Sequence, residues 1–165
     1  MSQFNFRALL LLALICLVAL GSALYLQHSL GWQPCPLCVM QRVAFVFVLL
    51  FSVLSVALRK AGLRRLALGF GGASAITGLG VAAYHVWVIA NPKVSCGIDP
   101  LETQINALWL VQQFPWMLKA DGLCSTPYPP VLGLHLPTWT LLLMGFSAFL
   151  FVWSLVQSRR WFRSA

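Results

Sequence analysis

Charged residues are scarce in this chain, and acidic residues are scarcer still. Only 8% of its 165 residues are charged, and three are acidic, whereas soluble globular domains average roughly 25% charged residues. Sixty per cent of the residues are apolar. This composition excludes an ordinary water-soluble domain and predicts an integral membrane protein. The length allows one domain, and the sequence contains no short-period repeat or low-complexity tract.

Charge is absent from three long apolar stretches and nearly absent from a fourth. Each is long enough to cross a bilayer, which takes about 20 residues. The stretches cover 8–26, 37–58, 66–90 and 137–156, and Arg42 is the one charge within them. We predict an all-α membrane protein whose single domain, 1–165, has four transmembrane helices and outer loops at 27–36 and 91–136. Because the first apolar run is longer than that of a usual signal peptide, we expect this helix to stay uncleaved.

The charges divide between the two sides of the membrane if the spans alternate in direction. Eight cations fall on one side: Arg7, Arg59, Lys60, Arg64, Arg65, Arg159, Arg160 and Arg163. All three acids fall on the other side. Because cytoplasmic segments are enriched in Lys and Arg, both termini are predicted to be cytoplasmic and both loops periplasmic. This distribution explains the net charge of +8 without a nucleic-acid partner.

The long outer loop contains a helix signal. In Asp99-Pro100-Leu101-Glu102, Asp99 is placed to cap a helix and Pro100 to occupy its first position. Apolar residues then recur at helical spacing through Leu101, Ile105, Leu108 and Trp109. We expect about four turns of amphipathic helix lying on the membrane surface. The alternative is a helix packed on top of the bundle.

Four of the five cysteines form two pairs on the predicted outer side. Cys35 and Cys38 form a C-x-x-C motif at the mouth of the second span, and Cys96 and Cys124 lie in the long loop. The chain lacks a second C-x-x-C motif or a paired histidine, so we expect no metal. Disulfides persist in an oxidising compartment such as the periplasm. Cys16, in the middle of the first span, is interpreted as a packing residue.

The local pair is placed for redox chemistry. Pro36 suits the first position of a helix, which makes Cys35 the N-cap and puts Cys38 in the first turn. The helix dipole there favours a thiolate, as does Arg42, four residues after Cys38 on the same face. Arg42 lies about one turn inside the membrane, where it either snorkels to the headgroups or serves a function.

His85 lies late in the third span, at a depth similar to that of Cys38 and Arg42. It is either a packing residue or, with Arg42, a hydrogen-bond donor to the carbonyl of a quinone. His28 and His135 sit at span ends, where polar residues are ordinary.

Two interpretations of the distant pair stay open. Cys96 and Cys124, 28 positions apart, could form a structural disulfide worth roughly 3–4 kcal/mol, or could exchange with an attacking thiol.

The whole pattern resembles the DsbB family, the quinone-dependent disulfide-generating enzymes of the bacterial inner membrane. The resemblance covers nearly the whole chain. It rests on Gln27-His28, Pro34-Cys35-Pro36-Leu37-Cys38, Arg42, His85, Cys96, Cys124 and Leu136-Pro137-Thr138-Trp139. It implies a four-helix transmembrane bundle with a short membrane-lying helix in the second periplasmic loop.

The resemblance also implies a division of labour among the four cysteines. Cys96 would form a mixed disulfide with the periplasmic dithiol oxidase DsbA. Electrons would then pass through a Cys35–Cys124 bond to the local pair, and Cys38 would deliver them to ubiquinone or menaquinone. The implied quinone-binding residues are Arg42 and His85.

The chain departs from the family pattern at Gln41, where an acid often precedes the arginine, and at Val88, where a methionine can contact quinone. We assign Gln41 no role from the sequence. A different class of protein also fits the composition, namely a non-catalytic tetraspan protein with two structural disulfides.

Overall fold

Four long helices form the bundle. The computed structural model describes residues 3–91, 98–124 and 128–161. The long helices are α1 (Gln3–Leu30), α2 (Pro36–Ala57), α3 (Ala61–Ala90) and α7 (Leu136–Trp161), and the outer loop carries α4 (Ile98–Asn106), α5 (Trp109–Gln113) and α6 (Pro115–Leu118). All four long helices are long and apolar enough to cross a membrane. The predicted all-α fold with four spans is confirmed.

The helices around the outer end of the bundle start and stop where local chemistry requires. α1 ends before Gly31, whose φ of 68° suits a residue without a Cβ. α2 begins at Pro36, directly after Cys35, whose side chain accepts a hydrogen bond from the backbone N–H of Cys38. The predicted N-cap is therefore present. It places the local cysteine pair at the first turn of a membrane-crossing helix.

Close packing of α3 holds the bundle together. α3 lies between α2 and α7 and packs against both, while α1 packs mainly against α2. Gly78 faces Ala44 and Met144, and a Cβ there would lie 2.9 Å from each. The core of buried apolar residues contains Leu9, Leu12, Cys16, Leu20, Ala44, Phe45, Val48, Leu68, Ala75, Met144, Ala148, Leu150 and Phe151. Cys16 lies fully buried within this core, as a packing residue would.

The outer-loop helix is shorter than the sequence predicts. Instead of about four continuous turns, the chain forms three short helices, and Leu108 between the first two is extended (φ −63°, ψ 134°). The side chain of Asn106 explains the break because it bonds the backbone of Ala120 twice, at 2.9 Å each. The predicted start of this helix is also wrong. α4 begins at Ile98, so the backbone of Asp99 lies inside the helix and Asp99 is not its N-cap.

The broken helices pack on the bundle through one face. Ile105, Val111 and Leu118 are buried in a cluster with Val39 of α2. The opposite edge is apolar and exposed, and Trp109 is the most exposed of its large side chains at 71%. The loop therefore has two apolar faces, of which the bundle covers one.

We expect Gly71→Ala to destabilise the bundle and Gly69→Ala to leave it nearly unchanged. A Cβ at Gly71 would overlap the ring of Phe151, which is fully buried, whereas no described atom lies within 4 Å of a Cβ at Gly69. Overpacking of this kind costs about 1–3 kcal/mol. Thermal unfolding of both variants in detergent measures the difference. Equal unfolding temperatures would show that α3 and α7 do not pack as described.

Candidate functional site

The local cysteine pair lies buried at the start of α2. Cys35 Sγ is 3.0 Å from Cys38 Sγ, much longer than a covalent S–S bond of about 2.05 Å, so the pair is a dithiol in this structure. Cys35 Sγ also accepts the Cys38 N–H at 3.3 Å. Cys35 is only 2% exposed, whereas Cys38 is half-buried. The two sulfurs therefore differ in surroundings although they are three residues apart.

Cys124 of the second loop packs against this pair. Its side chain is buried in a cluster with Cys35, Leu37 and Val88. The backbone N–H groups of Asp121 and Gly122 both donate to the Pro34 carbonyl at 3.1 Å. These bonds bring a cysteine of the distant pair next to Cys35. Its predicted partner, Cys96, lies outside the described residues.

A second contact holds the chain after Cys124 to the first loop. The ring of Tyr128 stacks on Trp32 with centroids 4.7 Å apart, and its hydroxyl donates to the Gln33 carbonyl at 3.1 Å. The two outer loops are thus joined on both sides of Cys124. Cys124 lies within this joint rather than on an independently exposed loop.

The surroundings of Cys35 change the pKa of its thiol. The sulfurs of Cys124 and Cys38, together with burial, raise the pKa of the Cys35 thiol. These surroundings disfavour the ionised form of Cys35. That Cys38, beside the helix terminus and Arg42, is the thiolate of the pair stays a prediction.

His85 reaches the cysteine pair from α3. Its Nε2 lies 3.7 Å from Cys35 Sγ, and the ring is 3% exposed. The side-chain ligand atoms of Cys35, Cys38 and His85 all lie within 4.8 Å of one another. The predicted match in depth is therefore present. Two cysteines and a histidine are also a ligand set that zinc can use, which sequence spacing does not reveal because His85 is distant along the chain.

Gln41 belongs to the site, and the sequence analysis missed it. It is 5% exposed, and its Nε2 lies 3.2 Å from His85 Nδ1. Gln41 follows Cys38 by three residues and so shares its helix face. That spacing, combined with a polar side chain inside a span, is the signal that could have identified it.

Arg42 is held inside the structure. It donates hydrogen bonds to Gln27 Oε1, to the Met117 carbonyl at 2.7 Å and to the Ala23 carbonyl at 3.3 Å. The side chain is 7% exposed, so it does not snorkel. It joins α2 to α1 and α6 instead.

An apolar cavity of about 640 Å³ opens beside these polar groups. It lies between α1 and α7, which contact each other little, and Cys38, Arg42 and His85 line its polar end. His135 also borders it, whereas His28 bonds the Trp116 carbonyl instead. The apolar lining includes Leu14, Ile15, Val18, Leu26, Phe45, Ile89, Leu136, Trp139 and Leu143.

A dithiol at a helix terminus, a third cysteine packed on it and an adjoining membrane cavity define a membrane protein with a thiol redox centre. The family model described as "Disulfide bond formation protein DsbB" matches residues 5–155. The chain belongs to the DsbB family, and its general role is therefore that of a disulfide-forming oxidoreductase.

Several curated relatives cover most of the chain. "Disulfide bond formation protein B" of Cupriavidus necator is 51% identical over 85% of this chain and 86% of its own length. The protein of that name from Ralstonia nicotianae is 46% identical over 96% and 99%. "Disulfide bond formation protein B 1" of Pseudomonas putida is 44% identical over 93% and 92%.

We expect Gly122→Ala to separate the two outer loops. A Cβ at this position would overlap the carbonyl oxygen of Gln33, and two backbones cannot yield as a flexible side chain can. Cys124 should then be alkylated faster under native conditions, by about fivefold if one hydrogen bond is lost. Gly62→Ala, with no described atom within 4 Å of its Cβ, is the control. Unchanged alkylation in Gly122→Ala would contradict the described contact.

Proposed function

We propose that this protein reoxidises a DsbA-like periplasmic thiol oxidase and passes the electrons to a membrane quinone, as a protein-disulfide:quinone oxidoreductase. One observation carries the proposal. Cys124 packs on Cys35, while Cys38 lines an apolar cavity open between α1 and α7. The three cysteines thus connect the outer loop with the membrane interior.

The cysteines can transfer the electrons by successive thiol–disulfide exchanges. A thiolate of reduced DsbA attacks Cys96, forms a mixed disulfide and releases Cys124 as a thiolate. Attack by the second DsbA thiolate then releases oxidised DsbA and reduced Cys96. Cys124 attacks Cys35 of the oxidised local pair, so that a Cys35–Cys124 bond forms and Cys38 leaves as a thiolate. Each exchange conserves the number of disulfides.

The cavity fits a quinone as ligand. Its volume of about 640 Å³ falls within the roughly 300–1,000 Å³ of small-molecule sites, and such sites combine apolar walls with few polar groups. Arg42, whose guanidinium has five N–H donors, is placed at the polar end to donate to a carbonyl oxygen, and His85 borders the same end of the cavity. Quinone, ubiquinone or menaquinone, would supply a two-electron acceptor. DsbA is itself a strong oxidant at about −120 mV, so its reoxidation requires a still stronger acceptor.

The same proposal places the chain in the bacterial inner membrane. Both termini are then cytoplasmic, beside the clustered cations, and both cysteine pairs are periplasmic. The exposed edge of the outer loop, formed by Leu108, Trp109, Phe114 and Trp116, has the aromatic character of a membrane–water boundary. This edge supports a loop that lies on the membrane as well as on the bundle.

Cys124→Ser should trap a covalent adduct between Cys96 and DsbA, because the thiol that Cys96 would otherwise rejoin is removed. Cys96→Ser should form none. Cys16→Ala is the matched control, since Cys16 lies in the bundle core, and it should behave as the native protein does. Because Cys124→Ser leaves Cys96 as a free thiol, DsbA is supplied in its oxidised form, and the Cys96 thiolate attacks the DsbA disulfide to form the adduct. Non-reducing gels after mixing measure the adduct.

The double variant Cys96→Ser, Cys124→Ser tests the alternative of a structural disulfide. The proposal predicts that it no longer oxidises DsbA. If it does so with quinone at the native rate, the distant pair is only structural.

Arg42→Lys should raise the quinone concentration needed for half-maximal rate by about tenfold or more. Lysine keeps the charge but lacks the planar guanidinium whose N–H groups join α2 to α1 and α6. Each lost hydrogen bond is worth about 1 kcal/mol. His28→Gln, outside the cavity lining, is the control and should not shift this value. Equal quinone dependence in Arg42→Lys and the native protein would limit Arg42 to a structural role.

A further inference from the structure

Gln41, His85 and the two packed cysteines form one continuous set of polar contacts. Gln41 Nε2 lies 3.2 Å from His85 Nδ1, and His85 Nε2 lies 3.7 Å from Cys35 Sγ. The His85 ring also meets the backbone carbonyl of Cys124 as a hydrogen-bond partner. His85 therefore stands between an amide on α2 and the place where Cys35 and Cys124 meet.

The partners of the ring determine which of its nitrogens carries the proton. In a neutral imidazole one nitrogen donates and the other accepts. A backbone carbonyl can only accept, so the ring nitrogen that meets the Cys124 carbonyl must donate. Because Nδ1 faces Gln41 and Nε2 faces Cys35, on which Cys124 packs, we assign this role to Nε2. Nδ1 is then the acceptor, and the Gln41 side chain must present its NH₂ group to it. The hydrogen-bond network thus assigns both the tautomer and the amide orientation.

We propose that Gln41 is a positioning residue for the exchange between Cys124 and Cys35. Its NH₂ group donates to Nδ1 of His85 in the Nε2–H tautomer that the Cys124 carbonyl requires, and His85 in turn holds the backbone of Cys124 beside the Cys35 sulfur. This inference rests on the proposed function. In the step concerned, Cys124 Sγ bonds to Cys35 Sγ, the Cys35–Cys38 bond breaks, and its electron pair leaves with Cys38.

The tautomer gives the first test, and it is independent of activity. In full-length protein with ¹⁵N-labelled histidine in nanodiscs, His85 should show a protonated Nε2 and an unprotonated Nδ1. His28→Gln and His135→Gln assign the three histidines. In Gln41→Glu, whose carboxylate only accepts, Nδ1 should become protonated. A protonated Nδ1 in the native protein, or spectra that are the same in both proteins, would overturn the proposal.

The second test isolates the exchange step from the acceptor, because Gln41 also borders the cavity. Oxidised protein stripped of quinone is mixed with reduced DsbA, quenched with acid, and the newly exposed Cys38 thiol is alkylated and quantified. Gln41→Leu, close to glutamine in volume, should slow appearance of this thiol about fivefold, the effect of one lost hydrogen bond. Gln41→Glu should also slow it. Formation of the Cys96–DsbA adduct should keep its native rate.

Controls separate this proposal from the one it rests on. Gln113→Leu makes the same chemical change at an exposed position of the outer loop and should exchange at the native rate. If the native protein never exposes the Cys38 thiol, the proposed function fails. If it does and both Gln41 variants match it, the role of Gln41 fails while the function stands.

Discussion

The site depends on the contact between the two outer loops. Two backbone N–H groups, from Asp121 and Gly122, converge on the Pro34 carbonyl, and Gly122 allows this because it has no Cβ to meet Gln33. Backbone bonds of this kind place the following residues without any contribution from their own side chains. Cys124, two residues further on, is therefore placed beside Cys35 by the backbone hydrogen bonds to the Pro34 carbonyl and by the close approach that Gly122 allows. The Cys124 side chain is not needed to form this contact.

The transmembrane bundle supplies the fixed side of this contact. Cys35 and Cys38 lie at the first turn of α2, and α2 packs closely on α3 where Gly78 meets Ala44. His85 lies one turn before the outer end of α3, so tight packing of these two helices fixes its distance from Cys35. Polar groups at this depth need internal partners, since lipid offers none. Gln41 and His85 satisfy that need by bonding to each other, and Arg42 by donating to the Gln27 side chain and to two backbone carbonyls.

The sequence predicted the parts of this protein that depend on long runs of residues. Four spans follow from the hydrophobic length that a bilayer requires, and the cap at Cys35 follows from Pro36. The outer-loop helix was predicted too long because its break depends on Asn106 bonding Ala120, a contact across fourteen residues that local propensity cannot show. The approach of Cys124 to Cys35 was expected only from the family resemblance. Gln41 was missed because its partner lies on another helix.

These differences have a common physical cause. Hydrophobic periodicity reports which residues leave water, but it does not report which buried polar groups find each other. In this protein the polar contacts that matter connect different segments: Arg42 bonds α1 and α6, while Gln41 bonds α3. Each of these side chains lies on the cysteine face of α2, three or four residues after Cys38. A polar side chain that shares a helix face with a redox cysteine inside a membrane span therefore owes its role to the partner it finds on another segment. Gln41 shares the helix face of Cys38 and contacts His85 on α3. His85 in turn lies 3.7 Å from Cys35 Sγ, where Cys124 packs on Cys35.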